Sequence, residues 1–83
     1  MTTGIERRDG VVSIGSVITI TDDRQRADIW QIVHDGEGDP TRGRITESTP
    51  LAKAVLGHFI GERVEVRGPD GRRWSVTIEA ATA

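Results

Sequence analysis

The chain has 83 residues, of which 13 are acidic and 11 are basic, so its formal net charge is −2 at pH 7. This length is enough for one domain with one core, and the mixed charge argues against nonspecific nucleic-acid binding, which normally needs a basic face. The chain has no cysteine, which excludes disulfides and thiolate metal ligands.

Membrane and secretion signals are also missing from the sequence. No apolar run approaches the ~20 residues that a membrane-spanning helix needs. The first residues contain no apolar segment of the kind found in secretory signal peptides. We therefore predict a cytoplasmic monomer with no membrane partner and no direct sequence-specific nucleic-acid partner.

The first half of the chain predicts an arm, two strands and a loop. Residues 1–11 are polar and charged without a hydrophobic period, which predicts a flexible N-terminal arm before a folded domain over residues 12–80. Residues 17–21 are β-branched at every position and predict a strand. Residues 29–34 predict a second strand, antiparallel to the first, and the acids, glycines and proline of residues 35–42 predict a loop.

A short helix is predicted after a brief strand at residues 43–46. Thr49 is suited to the N-cap and Pro50 to the first helical position, where its missing N–H costs nothing. The apolar residues that follow form one stripe: Leu51, Ala54 and Val55. Gly57 then offers the positive φ that ends a helix.

The last part of the chain predicts a β-hairpin. Residues 62–67 and 73–79 alternate between apolar and polar side chains, and a Gly-Pro-Asp-Gly turn at residues 68–71 joins them. Residues 80–83 are expected to fray. The predicted fold class is α+β, with an antiparallel sheet of about five strands wrapped on one short helix.

No catalytic constellation is recognisable in the sequence. The acid pairs lie in turns, where carboxylates cap and solubilise: Asp22 with Asp23, and Glu37 with Asp39. His34 and His58 share no metal-ligand spacing, and His58 is expected to interact with the helix dipole. Trp74 is expected in the core, whereas Trp30 contributes less if it lies on the outer face. We predict no catalytic residue, no metal and no cofactor.

The region around the predicted helix resembles a known family. The resemblance rests on these residues: Ile45, Ser48-Thr49-Pro50-Leu51-Ala52, Ala54, Leu56-Gly57, Gly61 and Val64. In order and spacing they resemble the C-terminal domain of the Gre factors, bacterial transcript-cleavage factors that bind RNA polymerase. The resemblance extends over about residues 12–78 and implies an FKBP-like fold.

The resemblance also implies a partner and a site. In Gre factors this domain docks at the rim of the secondary channel of RNA polymerase, on a coiled coil of the largest β-type subunit. The family's docking tripeptide, Asp or Asn followed by Ser-Pro, falls on Ser48, Thr49 and Pro50. Thr49 keeps the hydroxyl, whereas Ser48 departs from the acid or amide. Helix capping alone also explains Thr49 and Pro50.

Transcript cleavage in the family needs an N-terminal coiled coil, for which the residues before Val12 are too few. The resemblance therefore implies a non-catalytic binding module that modulates transcription elongation or competes with full-length Gre factors. The alternative is a prolyl isomerase, or the vestige of one, by analogy of fold. Few large aromatics are available to line such a pocket: Trp30, Trp74 and Phe59.

Overall fold

Five strands form one sheet, and a short helix packs on one of its faces. The structure, a computed structural model, describes residues 11–82. Its elements are β1 (Val17–Asp22), β2 (Ala27–Val33), β3 (Arg44–Thr46), α1 (Pro50–Val55), β4 (Arg63–Arg67) and β5 (Arg73–Ala81), with a 3₁₀ turn at Pro40–Arg42 before β3. Within these residues, no helix is long and apolar enough to cross a membrane.

The strand order is β3-β2-β1-β5-β4, and the predicted α+β fold class is confirmed. One pairing differs from a wholly antiparallel sheet, because β3 runs parallel to β2, with Gln31 opposite Arg44. The loop between these strands returns the chain to the middle of β2, where Gln31 N donates to Gly43 O at 2.7 Å. From there β3 runs in the same direction as β2, so the sheet contains one parallel pair and is mixed.

The core lies between the concave face of the sheet and α1. Its buried members are Val12, Ile18, Ile20, Ile32, Ile45, Ala52, Val55, Val64, Val66, Val76 and Ile78. The helix contributes Ala52 and Val55, which are fully buried, whereas Leu51 and Ala54 are only half-buried. The predicted stripe was therefore right for Val55 and missed Ala52, whose small side chain lets the helix lie close to the sheet.

The two tryptophans differ from expectation. Trp74 shares the inward register of Val76, yet it is 42% exposed, so its assignment to the core was wrong. Trp30 is half-buried and packs against the core. Trp74 is the second residue of β5, close to the β4–β5 turn, and its ring is near enough to Gly68 that a Cβ there would meet it at 3.2 Å. The short helix packs on β4 and leaves the Trp74 side chain of β5 partly exposed.

The C-terminal residues are also more ordered than expected. Ala80 and Ala81 belong to β5 and pair with β1, after an irregularity in the register between Thr19 and Ile20. Thr82 continues this contact, because its N–H donates to Val17 O at 3.0 Å. The expected fraying was therefore wrong for these residues, since a distant strand holds them. Most of the predicted N-terminal arm, residues 1–10, lies outside the described residues.

Candidate docking site at the start of the helix

The chain turns sharply between β3 and α1, and we call residues 46–50 the corner. Thr49 is the N-cap, as predicted: its backbone is extended and its Oγ1 accepts from Ala52 N at 3.3 Å. Pro50 is the first residue of the helix. The same Thr49 hydroxyl donates to Thr46 O at 2.9 Å, so it is used on both sides and holds the corner closed.

Ser48 is the exposed member of the corner. Its Oγ donates to Asp35 Oδ1 at 2.9 Å and lies 3.1 Å from Thr46 Oγ1. The backbone of Glu47 donates to Val33 O at 2.9 Å, and this bond anchors the corner to the end of β2. The structure thus brings the predicted residues Ser48, Thr49 and Pro50 together and adds Asp35, which sequence reasoning had not selected.

The surroundings of the corner are mainly acidic. Asp39 pairs with Arg42 at 3.5 Å, and the Glu47 carboxylate lies 3.2 Å from His34 Nδ1. Two further acids of the same loop, Asp35 and Glu37, form no ion pair within residues 11–82. The exposed charge beside Ser48 is therefore negative, which favours a cationic partner surface.

The other end of the helix is closed by a different set of contacts. Gly57 has φ of 82°, as predicted for a helix stop. His58 Nδ1 lies 3.0 Å from Glu62 Oε1, and Glu62 Oε2 accepts from Phe59 N at 2.6 Å. The hydrogen bond with His58, followed by that from the Phe59 backbone, lowers the pKa of Glu62. His58 therefore has a carboxylate partner in addition to the helix end.

A groove on the concave face is the second candidate site. Its apolar walls come from Ile20, Trp30, Leu51, Trp74 and Val76, and the turn between β1 and β2 supplies a charged rim.

Asp22, one of the acids of that rim, is hydrogen-bonded within its own turn. Asp22 accepts backbone N–H bonds from Arg26 and Arg24 at 2.9 Å each. The Arg26 N–H is the largest cause of the lowered pKa of Asp22. In the part of the chain that the structure describes, no three His, Asp or Glu residues are grouped so as to hold a metal ion.

Comparison with known proteins agrees with this architecture. The family model described as "Transcription elongation factor, GreA/GreB, C-term" matches residues 7–83. Transcription elongation factor GreA of Azorhizobium caulinodans is 39% identical over 74 residues, which are 88% of this chain and 47% of that protein. GreA of Listeria monocytogenes is 37% identical over 79 residues, covering 94% of this chain and 49% of the relative.

Solved structures of related factors also superpose on most of this chain. The crystal structure of Gfh1 from Thermus aquaticus superposes with a TM-score of 0.75 at 26% identity, over 89% of this chain and 50% of the other. A GreA/GreB elongation factor from Nitrosomonas europaea gives a TM-score of 0.72 over 90% of this chain and 62% of the other, and its 22% identity supports the fold alone.

The fold is that of an α+β module of the kind found in the C-terminal part of GreA/GreB transcription elongation factors. The chain belongs to the GreA/GreB family, as a C-terminal domain. It spans about half the length of the curated relatives it matches.

Proposed function

We propose that this chain is a non-catalytic module that docks on bacterial RNA polymerase through the corner. The contact lies at the rim of the secondary channel, on a coiled coil of the largest β-type subunit. Docking there modulates transcription elongation or competes with full-length Gre factors. The module acts in the cytoplasm, where polymerase works.

One observation carries this proposal: Ser48, Thr49 and Pro50 form a single rigid corner with Ser48 on its exposed side. Thr49 uses its hydroxyl inside the corner, so capping explains Thr49 and Pro50 but gives Ser48 no role in the helix. Capping and docking are compatible, because the first fixes the shape that the second presents to a partner.

The alternative of a prolyl isomerase gains no support from these relatives, which are described as transcription elongation factors. The groove between Trp30 and Trp74 has apolar walls. Its charged groups are Asp28 on β2 and those of the rim, where Asp22 and Asp23 are engaged with arginines. We therefore retain the docking function alone.

The proposal is tested with purified bacterial RNA polymerase and the Ser48→Arg variant. The long cationic side chain is expected to weaken binding by about tenfold or more, equivalent to ~1.4 kcal/mol. Ile29→Arg is the matched control, because Ile29 is 65% exposed and lies away from the corner on β2. Both variants should unfold within about 0.5 kcal/mol of wild type, as surface changes usually do.

Three outcomes are informative. Weaker binding by Ser48→Arg but not by Ile29→Arg supports the corner. Equal binding by all three proteins removes the corner from the proposal. Absence of binding by the wild-type chain, together with failure to displace a full-length GreA from polymerase, removes polymerase as the partner.

A further inference from the structure

Beside the corner lies a carboxylate, Asp35, that forms no ion pair within the described residues. Asp35 follows β2 and is exposed, and Ser48 Oγ donates to its Oδ1 at 2.9 Å. Within residues 11–82, neither carboxylate oxygen of Asp35 forms an ion pair, and Ser48 is its only side-chain donor. The hydrogen bond to Oδ1 thereby fixes the direction of the carboxylate.

Most other acids of the described chain are already matched with a cation. Seven form ion pairs, as follows: Asp22 with Arg26, Asp23 with Arg63, Asp39 with Arg42, Glu47 with His34, Glu62 with His58, Glu65 with Arg67 and Asp70 with Arg72. Asp35 differs from these seven acids, because its orientation comes from a neutral hydroxyl that leaves its charge uncompensated. Glu79 on β5 is oriented in the same way, by the Thr21 hydroxyl at 2.8 Å.

The hydroxyl that orients Asp35 is itself oriented. Because the Ser48 hydroxyl donates its proton to Asp35, the Thr46 hydroxyl donates to Ser48 Oγ across 3.1 Å. Thr46 belongs to β3, whose register against β2 pairs Thr46 with Val33, two residues before Asp35. The carboxylate is therefore held from both strands, which lowers the conformational entropy lost when it binds a partner.

We propose that Asp35, beside the corner, is the residue that contacts polymerase, by accepting hydrogen bonds from a guanidinium or ammonium group of the partner, and that Ser48 is the positioning residue that orients it. This inference rests on the proposed function and names the chemistry of the same surface. An oriented carboxylate with free lone pairs forms charge-assisted hydrogen bonds, and arginine can engage both of its oxygens.

The test measures polymerase binding of four proteins: wild type, Asp35→Asn, Ser48→Ala, and the double variant Asp35→Asn/Ser48→Asp. Asp35→Asn keeps the shape and removes the charge, so binding should weaken by about tenfold, or ~1.4 kcal/mol. Ser48→Ala leaves the charge but not its orientation and should weaken binding less. The double variant restores a carboxylate at position 48, whose side chain contacts that of position 35, and should recover most of the affinity.

Two further measurements separate this role from a merely structural one. Binding of wild type should fall with added salt more steeply than binding of Asp35→Asn, because one charge pair is lost. Glu37→Gln is the matched control: it removes the same charge two residues away in the same loop and should leave binding unchanged. Unfolding midpoints of all variants should agree with wild type.

The inference is overturned if Asp35→Asn binds as wild type does, if Glu37→Gln weakens binding equally, or if the double variant binds no better than Asp35→Asn. In each of these cases wild-type binding and its loss in Ser48→Arg leave the proposed function standing. If the wild-type chain does not bind polymerase at all, the proposed function fails and this inference fails with it.

Discussion

The concave face of the sheet has one part that the helix covers and one part that it leaves open. Where α1 lies against β4, Ala52 and Val55 of the helix and Val66 of the strand are fully buried. In the open part, which forms the groove, Trp30 is half-buried and Trp74, the cross-strand partner of Val66, is 42% exposed, although both follow the inward alternation of their strands. An inward register therefore does not by itself bury a side chain.

The small size of the helix explains why part of the face stays uncovered. Helix α1 has six residues, or about 9 Å, whereas β5 has nine residues and extends for about 30 Å. The helix can cover only part of the face that the strands offer. The residues beyond its reach keep the strand pattern of a core without a second layer above them, and this is how the groove arises.

The largest expected loss of stability follows a substitution in the buried core. Ile78→Ala should destabilise the domain by about 3–4 kcal/mol, because Ile78 is fully buried and its removal leaves a cavity. Ile29→Ala, on an isoleucine that is 65% exposed, should stay within about 0.5 kcal/mol. Denaturant titration measures both, and equal losses would contradict the described core.

Substitutions of the two tryptophans that line the groove should destabilise the domain less. Trp74→Ala should cost about 2 kcal/mol, roughly half of the ~3–5 kcal/mol for a fully buried aromatic. Trp30→Ala should cost more than Trp74→Ala, because Trp30 packs against the core. These are the only two tryptophans of the chain, so iodide quenching of each single-tryptophan variant reports their exposure separately. Stronger quenching of Trp30 than of Trp74 would reverse the assignment.

Loss of the helix cap should lower the stability of the domain by a smaller amount. Thr49→Ala removes the hydroxyl that accepts from Ala52 N and donates to Thr46 O, and should cost about 1 kcal/mol. Thr49→Ser keeps the hydroxyl and serves as the control. If thermal unfolding gives the same midpoint for Thr49→Ala and wild type, then the cap does not hold the helix over the sheet.

The smallest expected effect is a pH dependence of the stability that arises from Glu62. The pKa of Glu62 lies below its ordinary value of 4.5 because of hydrogen bonds from His58 and the Phe59 backbone. A carboxylate with a lowered folded-state pKa stabilises the fold above the unfolded value, and this contribution disappears as pH falls through the lowered value. The stability difference between wild type and Glu62→Gln should therefore be present above pH 4.5 and shrink as the pH falls below it. A constant difference would rule out this role.

Local sequence was sufficient for several elements. The Thr49-Pro50 start of the helix, the Gly57 stop and the hairpin of β4 and β5 are present as predicted. The order and spacing of residues around the helix also indicated the Gre family, which the comparisons confirm. These features depend on residues within a few positions of each other, since caps, turns and strand alternation are set by near neighbours.

Distant contacts decided what local sequence did not. The parallel pairing of β3 with β2 and the pairing of Ala80 and Ala81 with β1 depend on where the chain returns, and no local propensity encodes that path. The contact between Ser48 and Asp35 joins side chains 13 residues apart. The sequence marked Ser48 as a departure from the family's acid or amide, but only the structure brings a carboxylate to its side.

The sequence by itself thus determined the elements, the family and the position of the corner. Only the tertiary structure decided which inward-facing residues are buried and which carboxylate the corner presents. The physical reason is that the burial of a side chain depends on the element that covers it. Trp74 and Ile78 lie on the same face of β5, and the residues packed above that face make one of them surface and the other core.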